Sequence, residues 1–212
     1  MRTSSSTSCT SVISWQPKHR PTPKAGMPVS KVISNSDSSR MGKAAELLVA
    51  ATCVIESRAQ LNVSTAMVDD EGVDLVFHRR DGAATLAVQV KARMSDAKSL
   101  RSGFRATVRS ETLRPRDDLF VLFVVVDVGL GSFDACWLVP SVDLAERATR
   151  DRLGRYRFAA SPKDASRDQW RPYRFTRAEL PVEILRRLNV LAGVRRLVAR
   201  TVASAPPPTA DM

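Results

Sequence analysis

Eight consecutive apolar residues at positions 119–126 constrain the fold of this 212-residue chain more than any other segment. Side chains of a strand alternate between its two faces, so an unbroken apolar run of this length predicts a strand buried on both faces. Such a strand lies inside a sheet, and other elements must cover that sheet on each side. The run therefore predicts an α/β domain built around a central buried strand.

The elements before this strand are predicted from periodicity and turn residues. Apolar residues at helical spacing predict a helix over residues 42–58, and alternation predicts strands over residues 61–68, 73–79 and 85–92. The second of these strands is expected to place Val73, Leu75 and Phe77 on one face. The pair Asp81-Gly82 predicts a tight hairpin into the third strand. These segments predict a mixed sheet flanked by helices.

The elements after the central strand are less clearly marked. Alternation predicts a strand over residues 135–139, and Ser141 is expected to cap a short helix that extends to residue 148. A last helix over residues 181–202 is amphipathic, and it is expected to pack on the domain rather than on an acidic membrane surface. Its predicted apolar stripe contains Ile184, Leu188, Leu191, Val194 or Arg195, and Val198.

The net charge of +11 is unevenly distributed. Residues 1–40 contain six basic and one acidic residue, a net charge of +5. Residues 41–146 contain twelve basic and fifteen acidic residues (net −3), and residues 147–212 contain fifteen basic and six acidic residues (net +9). We expect a disordered basic arm over residues 1–40, one α/β domain over residues 41–203 and a disordered tail over residues 204–212. Basic flanks suit a polyanion such as nucleic acid, although solvated surface arginine is an equal alternative.

The cysteines and the apolar segments limit the class of protein. Cys9, Cys53 and Cys136 are too far apart for a zinc motif or a disulfide framework, and the last two are expected to be small core residues. No apolar stretch approaches the length of a membrane span, and the first residues lack the apolar block of a signal peptide. A soluble cytoplasmic protein without a membrane partner is the expectation.

Polar residues on the first predicted helix and on the second and third predicted strands point to a chemical site. Glu46 flanks the apolar stripe of the first helix, Asp74 lies in the second strand, and Gln89 and Lys91 share one face of the third. The hairpin makes those strands antiparallel neighbours, so Asp74 is expected about 5 Å from Gln89. A carboxylate, an amide oxygen and the backbone carbonyl of Val90 are oxygen ligands of the kind Mg²⁺ accepts. Lys91 is placed to orient or deprotonate an attacking water.

This order of residues resembles the PD-(D/E)xK nuclease superfamily, the restriction-endonuclease-like fold that includes archaeal Holliday-junction resolvases. The similar segments are Gly42-Lys43-Ala44-Ala45-Glu46, Gly72-Val73-Asp74-Leu75-Val76 and Val88-Gln89-Val90-Lys91, about 50 residues from first to last. Residues 137–141 are also similar, more weakly, to uncharacterised bacterial members. The resemblance implies an αβββαβ core, a requirement for Mg²⁺ or Mn²⁺, and hydrolysis that leaves a 5′-phosphate.

The resemblance also implies a role for each residue of the site. Asp74 and Gln89 would be metal ligands, Lys91 the catalytic lysine, and Glu46 an outer acid that supports a ligand or a second metal. Gln89 departs from the usual Glu or Asp of the superfamily. An amide ligates through oxygen but brings no negative charge, so weaker metal binding is expected.

Several residues near this site allow two interpretations. One group follows the predicted catalytic strand and either binds phosphates or forms a solvated linker: Arg93, Lys98, Arg101, Arg105 and Arg109. Trp170 and Tyr173 either stack bases or hold a basic loop against the core, and the second interpretation is favoured. Asp70 or Glu71 is a less favoured addition to the metal site. His78 is interpreted as a polar residue at a strand end.

These observations predict Mg²⁺- or Mn²⁺-dependent hydrolysis of phosphodiesters in nucleic acid, with DNA favoured. Two alternatives stay open: a nucleic-acid-binding module on the same fold without turnover, and a regulatory protein whose basic flanks bind a protein partner. A homodimer also stays open, because many members of the superfamily cut two strands as dimers, although no residue here marks an interface.

Overall fold

The computed structural model describes residues 35–66, 72–97, 100, 103–163 and 167–203, with side chains from residue 37 to residue 196. The chain separates into two units, Met1–Ile33 and Ser34–Met212, and the described residues belong to the second. The predicted disordered tail and residues 1–34 of the predicted arm lie outside the described residues.

Three α-helices frame two runs of consecutive strands in the described part of the chain. In order they are α1 (Asn35–Glu56), β1 (Leu61–Thr65), β2 (Leu75–Arg79), β3 (Thr85–Met94), β4 (Phe104–Val108), β5 (Leu119–Asp127), β6 (Ser132–Pro140), α2 (Ser141–Arg147), β7 (Thr149–Arg150), β8 (Tyr156–Ala160), β9 (Arg174–Thr176) and α3 (Glu179–Ala203).

The strands form two sheets. The larger sheet has the order β1-β2-β3-β5-β6-β9, and the smaller one the order β4-β8-β7. β3 is antiparallel to β2, as the Asp81-Gly82 hairpin predicts, and parallel to β5. The other neighbouring strands pair antiparallel, so the larger sheet is mixed. The predicted α/β class with a mixed sheet and flanking helices is confirmed.

The central strand is buried on both faces, as its apolar run predicts. Phe120, Leu122 and Val124 pack in a cluster with buried residues of α1 and α3. The alternate side chains, among them Val121 and Phe123, pack in a second cluster with the smaller sheet and α2. The domain therefore has a helical layer on one face of the larger sheet and a layer made mainly of strands on the other.

None of the three strands of the second layer was predicted from the sequence. Along the chain, β4 follows β3 and precedes β5, where the resemblance implies a helix. β7 and β8 lie between α2 and Trp170. In β4, Phe104, Ala106 and Val108 are buried while Arg105 and Thr107 are exposed. This is the alternation of a half-buried strand, and the many arginines of both segments obscured it.

Three boundaries or faces differ from prediction in the first half of the domain. α1 begins at Asn35, so residues 35–40 are helical rather than part of a disordered arm. Asp37 in its first turn favours that start, because a negative charge stabilises the N-terminus of a helix. β2 begins at Leu75, and Val73 packs against the second cluster rather than beside Leu75 and Phe77.

Two further corrections concern helices in the second half. Ser141 does not cap α2, because Pro140 occupies the N-cap position. The buried Ser141 hydroxyl instead donates to the carbonyl of Arg116 and accepts from its amide, both at 3.0 Å. In α3 the predicted apolar stripe is buried or half-buried from Ile184 to Leu191, whereas Val194 is 51% exposed. The predicted stripe residue Val198 lies outside the described side chains. None of the described helices is long and apolar enough to cross a membrane.

Buried aromatic rings join the basic loop after β8 to the core. Phe158 of β8 stacks on Phe123 of β5 at 3.7 Å between ring centroids, and Trp170 lies 4.9 Å from Phe158. The hydroxyl of Tyr173 donates to Asp143 at 2.6 Å. Trp170 and Tyr173 are both buried, so they hold this loop against the domain, as the favoured interpretation predicts.

The two described cysteines are buried and unpaired, as expected for small core residues. Burial raises the pKa of the Cys53 thiol to about 12. Burial also raises the pKa of Cys136, and the nearby Cys53 adds to that rise.

We expect Phe158→Ala to lower the free energy of unfolding by about 3–5 kcal/mol, because it removes a buried ring from the second cluster. Urea denaturation followed by circular dichroism measures this loss. Leu153→Ala, at a side chain that is 71% exposed in the preceding turn, serves as the control and should change stability by less than about 0.5 kcal/mol. Equal effects of the two substitutions would contradict the strand layer described above.

Candidate active site

The predicted acid Asp74 lies immediately before β2, where the pairing of β2 with β3 begins. Its amide donates to the Val88 carbonyl at 3.0 Å, and its carboxylate oxygen Oδ2 accepts from the Val90 amide at 2.6 Å. The regular pairing of β2 with β3 ends at Leu75 and Val88. The next amide of β3 that points toward β2 is that of Val90, and the Asp74 carboxylate provides its acceptor. This contact fixes Asp74 against the backbone of the predicted catalytic strand.

The backbone carbonyl of Val90 faces the same edge of β3 as Asp74. Val88 and Val90 both bond toward the β2 side, whereas Ala87 bonds to Asp118 on the β5 side. Amide and carbonyl groups of one strand residue point to the same neighbour. The Val90 carbonyl is therefore directed toward the space beside Asp74.

Glu46 reaches this space from α1. Ala45, Val49 and Cys53 form the buried stripe that holds α1 on the sheet, and Glu46 lies beside this stripe with 14% of its side chain exposed. Lys43, one turn earlier, forms an ion pair with Glu46 at 2.7 Å. The packing of the helix thus places the Glu46 carboxylate near the N-terminal end of β2.

These residues line one open cavity of about 300 Å³, here called the Asp74 cavity. Four of the predicted site residues border it: Glu46, Asp74, Val90 and Lys91. Arg93, predicted to bind phosphate, also borders it, and its Nε donates to the Arg105 carbonyl at 3.1 Å. The predicted helix, strand and hairpin do bring these positions together.

Gln89 borders a neighbouring cavity of about 350 Å³, here called the Gln89 cavity. Its side chain is only 5% exposed and packs against Gly72, where a Cβ atom would lie 2.8 Å from Nε2 of Gln89. Gly72 has a φ of +66°, which suits glycine. The same Cβ would lie 3.2 Å from the Thr112 side chain, so the side chains of Gln89 and Thr112 leave no room for a larger residue at position 72.

The remaining predicted site residues have separate positions. Arg105 borders a third cavity of about 470 Å³ at the ends of β4 and β8. His78 is half-buried in β2, with Nδ1 3.4 Å from the Arg79 carbonyl. Lys98, Arg101, Asp70 and Glu71 lie outside the described residues.

Three residues of the Gln89 cavity were not predicted: Thr107, Thr112 and Arg155. Thr107 lies on β4, a strand that the sequence analysis missed, and Arg155 reaches the cavity from the turn before β8. The alternation of buried and polar residues in residues 104–108 and 156–160 was the available signal. It places Thr107 on the outward face of β4, but it does not show which cavity that face borders.

The oxygen groups of the Asp74 cavity fit a hard divalent cation. Two carboxylates and a backbone carbonyl belong to the donor class that Mg²⁺ and Mn²⁺ accept, with water supplying the other ligands. Across the described ranges, no three His, Cys, Asp or Glu side chains are grouped closely enough to hold a metal. A cation here would therefore depend on Asp74, Glu46 and the Val90 carbonyl, with little protein charge to hold it.

Comparisons with known proteins give little guidance on identity. No family model matches the chain, and no curated protein matches it in sequence. Among the solved structures that match, the bacterial homing endonuclease I-Ssp6803I covers 78% of this chain and 98% of its own, with 16% sequence identity and a TM-score of 0.45. A similarity at this level does not establish membership of a family.

We expect Gly72→Ala to destabilise the protein more than Gly131→Ala. Both glycines have positive φ (+66° and +60°), so both substitutions incur roughly 1–2 kcal/mol of backbone strain. At Gly131 no atom lies within 4 Å of the new Cβ, whereas at Gly72 the Gln89 amide must move. Urea denaturation measures both losses.

The same experiment includes Gln89→Ala in each background. Removal of the amide should relieve the extra loss at Gly72 and leave the Gly131 variant unaffected. If the Gly72 and Gly131 variants lose equal stability, the tight contact with Gln89 is wrong.

Proposed function

We propose that this protein hydrolyses phosphodiester bonds of nucleic acid, with DNA favoured, in a reaction that requires Mg²⁺ or Mn²⁺. The observation that carries the proposal is the shared cavity of Glu46, Asp74, Val90 and Lys91. Acidic oxygen ligands beside a lysine combine a cation site with a positive group for a phosphate. The superfamily resemblance of the sequence supports the same chemistry.

Each residue has a distinct part in this proposal. Asp74 and Glu46 hold the cation together with the Val90 carbonyl, and a carboxylate has enough lone pairs to accept the Val90 amide as well. A bound divalent cation supplies positive charge to a phosphate oxygen and lowers the pKa of bound water. The hydrogen bond to Val90 fixes the Asp74 carboxylate, so little side-chain freedom is lost when a ligand binds.

Lys91 lies between the Asp74 cavity and the Gln89 cavity and is half-buried. Its ammonium group has three hydrogen-bond donors and no acceptor. From this position Nζ can donate to the attacking water or to a phosphate oxygen, and its charge offsets the negative charge of the reacting phosphate. Truncation of Lys91 should therefore affect hydrolysis more than folding.

A second candidate is a nucleic-acid-binding module on the same fold without turnover. The position of Gln89 favours it, because this residue lacks charge and borders the cavity next to Asp74. In that case the Asp74 cavity would hold a cation weakly or not at all. Metal-dependent cleavage and metal-dependent stabilisation separate the two candidates.

We expect wild-type protein to cleave labelled DNA in Mg²⁺ or Mn²⁺ and not in EDTA, and Lys91→Ala to lower the cleavage rate by about 10²–10⁴-fold. A panel of single-stranded, duplex and four-way-junction DNA with matched RNA identifies the substrate. Arg80→Ala, at an exposed arginine that borders neither cavity, is the control and should retain the wild-type rate. Binding without cleavage by any of these proteins would support the second candidate.

Divalent metal should raise the thermal midpoint of the wild-type protein and have little effect on Asp74→Asn or Glu46→Gln. Binding to the folded state alone stabilises by about 2.7 kcal/mol when the ligand is at 100 times its Kd. Glu56→Gln is the matched control on the same helix, because Glu56 pairs with Arg177 away from the cavity. Differential scanning fluorimetry with Mn²⁺ measures the shift in thermal midpoint. An equal shift in all four proteins would show that the cation does not bind in the Asp74 cavity.

A further inference from the structure

The Gln89 cavity has the chemistry of an anion site. Its lining consists of Gln89, Lys91, Thr107, Arg109, Thr112 and Arg155. Three of these side chains are cationic, the other three carry hydrogen-bonding groups, and this described lining contains no carboxylate. Its volume of about 350 Å³ is within the roughly 300–1,000 Å³ of small-molecule sites. A phosphate group in this cavity would contact positively charged side chains and hydrogen-bond donors.

Arg155 is held in place by the turn that contains it. Oδ2 of Asp151 lies 2.7 Å from both Nε and Nη2 of Arg155, and Oδ1 accepts from the amides of Leu153 and Arg155. The hydrogen bond from the Arg155 side chain is the largest cause of a lowered pKa at Asp151, so this carboxylate stays ionised as the partner of Arg155. A guanidinium has five N–H donors, so this contact leaves capacity for a second acceptor.

Arg109 approaches from the other side of the cavity. It follows the last residue of β4, and its side chain is exposed. Thr107 is exposed on β4 two residues earlier and borders both the Gln89 cavity and the Asp74 cavity, as Lys91 does. The basic cavity is therefore continuous with the proposed catalytic site rather than remote from it.

We propose that the Gln89 cavity binds a backbone phosphate of the nucleic acid, next along the strand to the phosphate that reacts in the Asp74 cavity. Arg109 and Arg155 are the principal phosphate ligands, with Thr107 as a neutral donor. The Thr112 hydroxyl donates to the Arg109 carbonyl at 3.5 Å and contributes to the wall of the cavity. This inference rests on the proposed function, because it takes the reacting phosphate to lie beside Asp74. It assigns Gln89 to the wall of a phosphate site, whereas the sequence analysis predicts a metal ligand at this position.

The test is the salt dependence of DNA binding, measured in EDTA so that cleavage plays no part. Fluorescence anisotropy gives the affinity for labelled duplex and single-stranded DNA over a range of salt concentrations. Each neutralised phosphate contributes about 0.9 to the slope of log affinity against log salt for duplex, and about 0.7 for single strands. The double variant Arg109→Ala/Arg155→Ala should therefore lose about one such unit from the wild-type slope.

Two control proteins make the result specific to this cavity. Arg109→Lys/Arg155→Lys keeps both charges and should retain the wild-type slope. Arg152→Ala removes an exposed arginine from the same turn as Arg155 but borders neither cavity, and it should also retain the slope. Thermal melts show whether each variant is folded. If the double variant is not folded, the single variant Arg109→Ala replaces it in the binding measurement.

The outcomes separate this inference from the proposed function. A reduced slope with no metal-dependent cleavage by wild type keeps the phosphate site and rejects the hydrolysis. Cleavage with an unchanged slope in the double variant rejects the phosphate site, as does an equal loss in Arg152→Ala. Stabilisation by inorganic phosphate that the double variant loses, with an unchanged DNA slope, would assign the cavity to free phosphate and overturn the backbone role. The absence of any DNA binding by wild type overturns it as well.

Discussion

The burial of β5 on both faces is the constraint from which the remaining architecture follows. Each apolar face needs its own cover, so the chain must place one layer on either side of the larger sheet. The helices α1 and α3 cover one face, and the smaller sheet with α2 covers the other. The position of the candidate site follows from this arrangement, because β3 is the parallel neighbour of β5. Its polar residues Gln89 and Lys91 emerge where α1 and β4 approach the strand.

Within that frame the hydrogen bond between Asp74 and the Val90 amide connects folding with the proposed chemistry. It satisfies a backbone donor at the end of the pairing between β2 and β3. The same residue borders the cavity that Glu46 and Lys91 line. A structural role and the proposed catalytic role therefore coincide at Asp74. The backbone of Lys91 pairs with Phe123 of β5, whereas its side chain borders two cavities. For this reason the lysine is the better residue with which to separate chemistry from stability.

The elements that local patterns specify strongly were predictable from sequence. The apolar run of β5 and the Asp81-Gly82 hairpin were enough to predict that Asp74 and Lys91 lie on neighbouring strands, and the superfamily resemblance added Glu46 to the site. The direction of the Gln89 side chain was not predictable, because it depends on the positive φ of Gly72 and on Thr112, which is distant in sequence. β4 and β8 were missed because arginine on their outward faces resembles a solvated linker. Tertiary burial, rather than local propensity, determines those two strands.

The burial of Cys53 and Cys136 has a practical consequence for spectroscopy. Thiolates are the reactive form of cysteine, and burial disfavours the thiolate of both residues. Maleimide reagents should therefore leave them unmodified in the folded protein. In a chain whose Cys9 is replaced by serine, a cysteine introduced on the exposed face of β8 would become the preferred attachment point. Spin or fluorescent labels could then report on the surface of the smaller sheet without alteration of the core.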